Sequence, residues 1–284
     1  MEERIVPLTL SEIWIYPIKS LAGVALTETE LTARGLKYDR RWMLIDANGK
    51  FMTQRTLPVL ALLDVAVEGD SLVVSHRQKE MPLLSIPFEQ NSSELLTVQV
   101  WDDLMDAVTV STEADRWFSE ALEQPCRLVF QPESTQRKVD PRYAHHEEIT
   151  SFSDGYPFLL IGQESLNDLN ARLESPVPMN RFRPNLVFTG GKPYEEDTWA
   201  AFTVGSQDFF GVKPCARCVL TTIDQVTSVK GKEPLKTLSK YRNWNNKILF
   251  GQNLLPGSLT ERIKVGDSIE VVQVKEAPLS LENS

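Results

Sequence analysis

The chain has 284 residues, 42% of them hydrophobic, which is enough to bury a real core without disulfides or structural metals in one large or two modest domains. A net charge of −9 at pH 7 and a sequence pI of about 5.0 exclude wholesale binding to nucleic acid or to an anionic membrane, both of which attract basic surfaces. Any anion site must therefore be a local basic pocket in an acidic protein.

The N-terminal Met1-Glu2-Glu3-Arg4 lacks the basic and long apolar regions of a signal peptide. No stretch reaches the roughly 18 apolar residues that span a bilayer. A soluble, cytoplasmic protein is expected. The three cysteines, Cys126, Cys215 and Cys218, are too few and too odd in number for a secreted disulfide framework.

The first hundred residues read as short strands and tight turns. Residues 12–17 (EIWIYP) and 41–46 (RWMLID) are rich in β-branched and aromatic side chains. Asp46-Ala47-Asn48-Gly49 reads as a hairpin turn, because Asn-Gly tolerates positive φ. Glu68-Gly69-Asp70-Ser71 is a second turn, between LLDVAVE and SLVVSH, and Asn91-Ser92-Ser93 precedes the strand LTVQVW. Regular short strands of this kind predict a barrel or a sandwich. Thr112-x-x-Asp115 opens a helix with Trp117, Phe118 and Leu122 on one side, and Pro125 stops it. The most polar stretch, residues 132–148, is expected to be a mobile loop at or near a domain boundary.

Leu166, Leu169 and Leu173 predict a second amphipathic helix, with Glu164-Ser165 as a weak start. Four more strands are expected in FRPNLVF, FTVGSQDFF, CVLTTID and IKVGDSIEVV. Glu233-Pro234-Leu235 opens a short helix, with proline in its favoured first turn. The last ten residues read as a frayed tail. There is no internal repeat, and no GxGxxG, P-loop or GxSxG motif.

Cys215-Ala216-Arg217-Cys218 is the sharpest local feature. Three chemistries fit it. A C-x-x-C pair is half a structural zinc site, but it needs two further ligands. A thioredoxin-like redox pair belongs at the start of a helix, whereas the β-branched Val219-Leu220-Thr221-Thr222-Ile223 reads as a strand. A single thiolate would suit a soft metal, with Lys213 and Arg217 nearby to favour the ionised form. Two small buried hydrophobes are the plain alternative.

Three further segments supply cations. Arg181-Phe182-Arg183-Pro184-Asn185 offers guanidinium forks for phosphate or carboxylate, and an amide able to read a heterocycle edge. Tyr16-Pro17-Ile18-Lys19-Ser20 offers an ammonium and a hydroxyl, and Arg40-Arg41 follows Asp39. Each alone is an ordinary loop charge; together they make a phosphate clamp. Asp154-Gly155-Tyr156-Pro157 is a turn by composition, with a carboxylate able to sit at a pocket mouth. Cys126 reads as a core residue, His145-His146 as solvated, and His76 carries no partner signal.

In order along the chain, YPIKS, DRRWMLID and QRTLP are followed by SFSDGYPFLLI, FRPNLVF, EEDTW, PCARCVLTTID, KEPLKTLSKYR, LFGQN and IKVGDSIEVV. Over residues 5–272 this series resembles the MOSC family, and within it the amidoxime-reducing components. The resemblance implies a mainly β fold with some α. A MOSC N-terminal β-barrel domain would occupy 5–126 and pack on a MOSC β-barrel domain with peripheral helices at 127–272, leaving a tail at 273–284. It also implies a molybdenum cofactor (a metal held by molybdopterin). Cys218 would ligate the metal and, with Asp154, serve catalysis. Lys19, Ser20, Arg40, Arg183 and Asn185 would bind the cofactor. Cys215 need not ligate, and the acidic pair Glu196 and Asp197 matches the family without a defined role.

The implied reaction is two-electron reduction of N-hydroxylated bases, amidoximes or hydroxylamines. No cysteine cluster follows Cys218, so electrons are expected from a separate protein, a flavin reductase or a ferredoxin. The membrane anchor of mitochondrial relatives is likewise not expected. Rival expectations are a cofactor-binding or sulfur-carrier protein without turnover, a pocket for pyridoxal phosphate or another phosphate ester, and a purely structural or interaction role.

Overall fold

The computed structural model describes residues 7–90, 92–259 and 262–279. The stretch Met1-Glu2-Glu3-Arg4, Asn91 of the third expected turn and residues 280–284 of the expected tail lie outside the described residues. Among the described residues the fold is mainly β, with α-helix confined to Thr112–Leu122, Gln163–Ala171 and Leu235–Leu238. Among the described residues no helix is long and apolar enough to cross a membrane.

A nine-stranded sheet dominates. Its order is Val24–Leu26, Thr9–Ile15, Leu186–Thr189, Phe158–Gly162, Lys247–Pro256, Gln207–Ala216, Trp199–Val204 and Ile269–Val274, with Asn243–Trp244 paired off Lys247–Pro256. The early strands Thr9–Ile15 and Val24–Leu26 thus join a sheet otherwise built from residues beyond 157. Thr9–Ile15 lies antiparallel to Leu186–Thr189 and buries Leu10, Ile13 and Ile15 against Phe158, Leu160, Phe188 and Trp199. The long-range pairing brings YPIKS, which follows that strand, beside FRPN, which precedes its partner.

The other half holds a four-stranded sheet (Trp42–Ile45, Arg127–Phe130, Asp103–Thr109, Leu95–Val100) and a meander of Leu63–Glu68, Ser71–His76 and Leu84–Pro87. The helix Thr112–Leu122 packs Trp117, Phe118, Ala121 and Leu122 between them. Its cap is Ser111, one residue ahead of the expected Thr112, with Oγ accepting from the Ala114 N–H at 3.1 Å. It ends at Glu123, in the left-handed region, before Pro125 acts. The Asp46–Gly49 turn forms as expected, with Asp46 Oδ1 accepting from the N–H groups of Asn48 and Lys50 and Gly49 at φ 75°.

Five expected elements differ, one of them IKVGDSIEVV, whose ends fall in two strands of different sheets, Arg262–Lys264 and Ile269–Val274. FTVGSQDFF is two strands joined by a turn rather than one. FRPNLVF is extended only from Leu186, because Arg183 takes a left-handed φ of 55°. CVLTTID is a single 3₁₀ turn, Val219–Thr222, where the Thr221 and Thr222 hydroxyls bond back to the carbonyls of Cys218 and Val219. The second helix stops at Ala171, short of Leu173, and Ser165 bonds Glu196 instead of capping it.

The 132–148 stretch is tied down in its first half. Arg34 and Arg41 both bond Glu133, and the buried Arg137 bonds Asp103 and the carbonyls of Ser151 and Ser153.

Strand Gln207–Ala216 approaches its neighbour so closely that a Cβ on Gly211 would lie 2.1 Å from the Trp199 carbonyl oxygen. Gly211→Ala should therefore destabilise the protein by about 1–3 kcal/mol or more in urea unfolding. Gly231→Ala, whose Cβ would meet nothing nearer than 3.7 Å, should change it by less than about 0.5 kcal/mol.

Candidate functional site

A cleft of about 270 Å³ opens where the early segment meets the large sheet. Its lining includes all seven residues to which the family resemblance gave a cofactor-binding or catalytic role: Lys19, Ser20, Arg40, Asp154, Arg183, Asn185 and Cys218.

Tyr16 is the wall on which the cations stand. Its N–H donates to Asp39 Oδ1 at 2.8 Å and its hydroxyl donates to the Pro184 carbonyl at 3.1 Å. The guanidiniums of Arg40 and Arg183 lie 4.3 and 4.1 Å from its ring centroid. Arg40 pairs with the fully buried Asp39 at 2.7 Å, and donates to Asn185 Oδ1 and to the Arg183 carbonyl. Arg183 donates to the Leu21 carbonyl at 2.7 Å.

Burial lowers the Arg183 pKa to about 10, leaving it a cation at neutral pH. Burial pushes the Tyr16 hydroxyl up to about 12 against the opposing pull of the two guanidiniums, so it stays protonated. Ser20, Arg40 and Arg183 all hold positive φ, at 69°, 48° and 55°. Strained backbone is thus concentrated at the cleft, and the surrounding contacts hold it there.

Lys19 is the second anchor. Its Nζ donates to the Phe152 carbonyl at 2.7 Å and to Asp154 Oδ1 at 2.6 Å. Burial brings its pKa down to about 8, against the support of Asp154. The enclosing walls oppose ionisation of Asp154, but the adjacent ammonium outweighs them and holds the carboxyl well below the usual carboxylate range. The Asp154 side chain remains 65% exposed at the cleft mouth. The Ser20 hydroxyl has no protein partner among the described residues, so it is free to meet a ligand.

The opposite wall is the end of strand Gln207–Ala216. Register shifts at Gly211/Lys213 and Pro214/Ala216 re-aim its side chains, so that Lys213 and Cys215 both line the cleft. Cys215 Sγ accepts from Arg217 Nη1 at 2.9 Å, and the other arm of Arg217 bonds the Phe182 carbonyl. Cys218 begins the 3₁₀ turn and faces the same cleft.

Among the described residues no three His, Cys, Asp or Glu side chains group closely enough to hold a metal, which leaves the C-x-x-C pair short of the ligands of a structural zinc. The turn of four residues after Cys218 is also too short to act as the helix of a thioredoxin-like pair.

Lys19, Arg40, Arg183, Lys213 and Arg217 therefore surround a cavity whose lining holds one carboxylate, Asp154. This is the local basic pocket that an acidic chain needs in order to hold an anion. Thr53, Tyr156 and Asn253 also line it and were not singled out from sequence; Tyr156 carries a buried hydroxyl without a partner among the described residues. Asn185 lines the cleft but commits its amide to Arg40, the Leu159 N–H and the Trp14 carbonyl, so it positions Arg40.

Glu196 and Asp197 lie elsewhere, fully buried. Glu196 accepts from Ser165 and the Gly162 N–H, and Asp197 pairs with the buried Arg242. Arg41 turns away toward Glu133. Cys126 sits in the core, where burial raises its thiol to about 11. His145 is exposed and stacks on Phe210 at 4.6 Å, and His76 accepts two backbone N–H bonds at Nδ1.

The chain matches the MOSC N-terminal beta barrel domain over residues 7–125 and the MOSC domain over residues 147–270. It is 37% identical over 281 residues to mitochondrial amidoxime-reducing component 1 of Mus musculus, an alignment covering 92% of this chain and 81% of that protein. It is 36% identical over 245 residues to mitochondrial amidoxime reducing component 2 of Homo sapiens, covering 82% of this chain and 72% of that protein. The molybdenum cofactor sulfurase of Oryza sativa subsp. japonica is 33% identical over 270 residues, covering 88% of this chain but only 33% of the sulfurase.

Lys19 carries its proton below a pKa of about 8 and loses it above, so the cleft attracts anions less as pH rises through that value. Sulfate, whose own charge is constant there, should bind more weakly above pH 8 than below it in a calorimetric titration. Asp154→Asn removes the carboxylate that supports the ammonium, and should move that fall to lower pH.

Proposed function

This chain belongs to the MOSC-domain family that carries the MOSC N-terminal β-barrel domain, and on that premise we propose that it is a molybdenum-cofactor-dependent reductase of N-hydroxylated compounds. The observation that carries the proposal is the convergence on one cleft of two free thiols and five cations. Soft thiolate and phosphate-seeking cations together suit a metal held by a phosphorylated ligand better than either alone suits anything else. The hydroxyls of Ser20 and Tyr156, both in the lining and without a partner among the described residues, fit the same polar ligand.

In this reading Lys19, Ser20, Arg40 and Arg183 hold the cofactor phosphate, Asn185 fixes Arg40, and Cys218 ligates the metal through its thiolate. When bound, the cofactor supplies two-electron cleavage of the N–O bond, so that R–NHOH with two electrons and two protons becomes R–NH₂ and water. The chain's own part is to orient and to handle protons. Asp154 is ionised at neutral pH and acts as an acceptor, so the proton of the pair rests on Lys19 Nζ, whose pKa of about 8 is near the working range. Phe158, Leu159 and Phe182 supply apolar lining to the cleft.

The electrons come from a separate protein, of flavin-reductase or ferredoxin type. A cytoplasmic location belongs to the same proposal; the amidoxime-reducing relatives carry mitochondrial names. Similarity to the rice sulfurase favours a second reading, a cofactor binder or sulfur carrier without turnover, and this chain corresponds to a third of that protein's length.

Turnover separates the two readings. Protein produced in a host that makes molybdenum cofactor, supplied with reduced methyl viologen and benzamidoxime, should yield benzamidine continuously, and Cys218→Ala should fall to background. Cofactor retained with no product from the wild type would favour the carrier. Full activity and metal content in Cys218→Ala would remove Cys218 as the ligand.

A further inference from the structure

The segment 226–247 departs from the charge of the rest of the chain. It holds six basic residues and one acidic one in a protein of net charge −9. Arg242 is buried against Asp197, but Lys230, Lys232, Lys236, Lys240 and Lys247 are all exposed, and none has a carboxylate partner among the described residues. Elsewhere Lys37, Lys79 and Lys138 are each paired, with Glu30, Glu123 and Glu147. Apolar side chains sit in and beside the same stretch: Val226 is 61% exposed, Val229 65% and Trp244 43%, with Val219 at 42%.

This stretch is fixed against the turn that begins at Cys218. The Gly231 N–H donates to the Thr222 carbonyl at 2.9 Å, and Lys230 bridges Ile223. Arg181 Nε donates to the Thr221 carbonyl at 2.8 Å, while its other nitrogens reach Asp224 and the Glu233 carbonyl. Arg242 holds the far end, bonding Asp197 and the Leu249 carbonyl. The Asn243–Trp244 strand then folds back on Lys247–Ile248 as a hairpin. The basic surface is therefore backed by the same framework that carries the proposed metal ligand.

We propose that residues 226–247, with Val219, form the docking face for an acidic electron-carrier protein that supplies the cleft; this rests on the reductase function proposed above. An acidic chain and an acidic carrier would otherwise repel each other. A local basic face that also carries exposed apolar side chains reverses the sign where the carrier must approach, and steers it there. Each encounter oxidises the carrier by one electron, and two encounters provide the pair of electrons that N–O cleavage consumes, with protons from solvent. A small, mostly polar contact suits a carrier that must leave between the two transfers.

The test uses the full chain loaded with cofactor, an acidic [2Fe–2S] ferredoxin kept reduced by its reductase, and benzamidoxime. In the wild type, turnover driven by limiting ferredoxin should fall as NaCl is added. The triple variant Lys230→Glu, Lys232→Glu, Lys236→Glu should lose about tenfold of the ferredoxin-driven rate while its methyl viologen-driven rate is unchanged, which also shows that it is folded and loaded. Lys50→Glu with Lys264→Glu, exposed lysines on other strands and turns, should leave both rates unchanged. A triple variant that takes electrons from ferredoxin at the wild-type rate would overturn the proposal. So would a wild type that turns over with methyl viologen but not with ferredoxin, or a variant that loses only binding to vesicles containing phosphatidylserine. If methyl viologen also drives no turnover in the wild type, the reductase function itself falls, and the docking face with it.

Discussion

Two guanidiniums held over one tyrosine ring are the constraint on which the site depends. Arg40 and Arg183 lie within 4.3 Å of the Tyr16 ring centroid, in a place where burial makes each charge costly. They are tolerated because Asp39, Asn185 and the carbonyls of Leu21 and Arg183 meet their N–H groups. Tyr16 can serve as that wall only because the strand ahead of it pairs with Leu186–Thr189. Residues far apart in sequence are thereby fixed side by side, and the left-handed backbones of Ser20, Arg40 and Arg183 are held in place by the same contacts.

The remainder of the cleft answers that cationic wall. A bulged strand brings Lys213 and Cys215 to the other side, and a 3₁₀ turn presents Cys218. One carboxylate, Asp154, is admitted to the lining, and it is neutralised by Lys19. Elsewhere the acidic excess lies outside the cleft, except over 226–247, where lysines dominate. Charge is thus separated into an acidic body, a basic cleft and a basic outer face beside it, which suits the handling of an anionic ligand and of a reducing partner at neighbouring places.

Much of this was legible in the sequence, and the exceptions have physical causes. Turns written in Asn-Gly and Glu-Gly, and the amphipathic face of Trp117, Phe118 and Leu122, depend on local chemistry and appear where expected. The ordered cationic motifs pointed to one pocket, and the fold gathers them. Val219 to Ile223 reads as a strand by β-branching, yet tertiary position wins. Hydroxyl bonds from Thr221 and Thr222 close a tight turn in which Cys218 can face the cleft. FRPN cannot be extended throughout, because Arg183 must turn back toward Leu21.

Tyr16 as a wall and Tyr156 in the lining carry no sequence signal, since an aromatic beside a strand is ordinarily core. Glu196 and Asp197 show the reverse. The family resemblance brought them in without a defined role, and they lie buried outside the cleft, where Ser165 and Arg242 hold them in the framework. Asn185 is intermediate: it is in the cleft as expected, but it faces protein groups rather than a ligand edge.

The central claim is that this basic cleft holds a molybdenum cofactor through Cys218. The most direct measurement is molybdenum and pterin per chain, by mass spectrometry of the metal and fluorescence of the oxidised pterin, on wild type and Cys218→Ala purified from a host that overproduces the cofactor. The account predicts near-stoichiometric metal and pterin in the wild type, and metal lost from the variant. Neither metal nor pterin in the wild type would contradict it, and the cleft would then be a site for another phosphate ligand, such as pyridoxal phosphate.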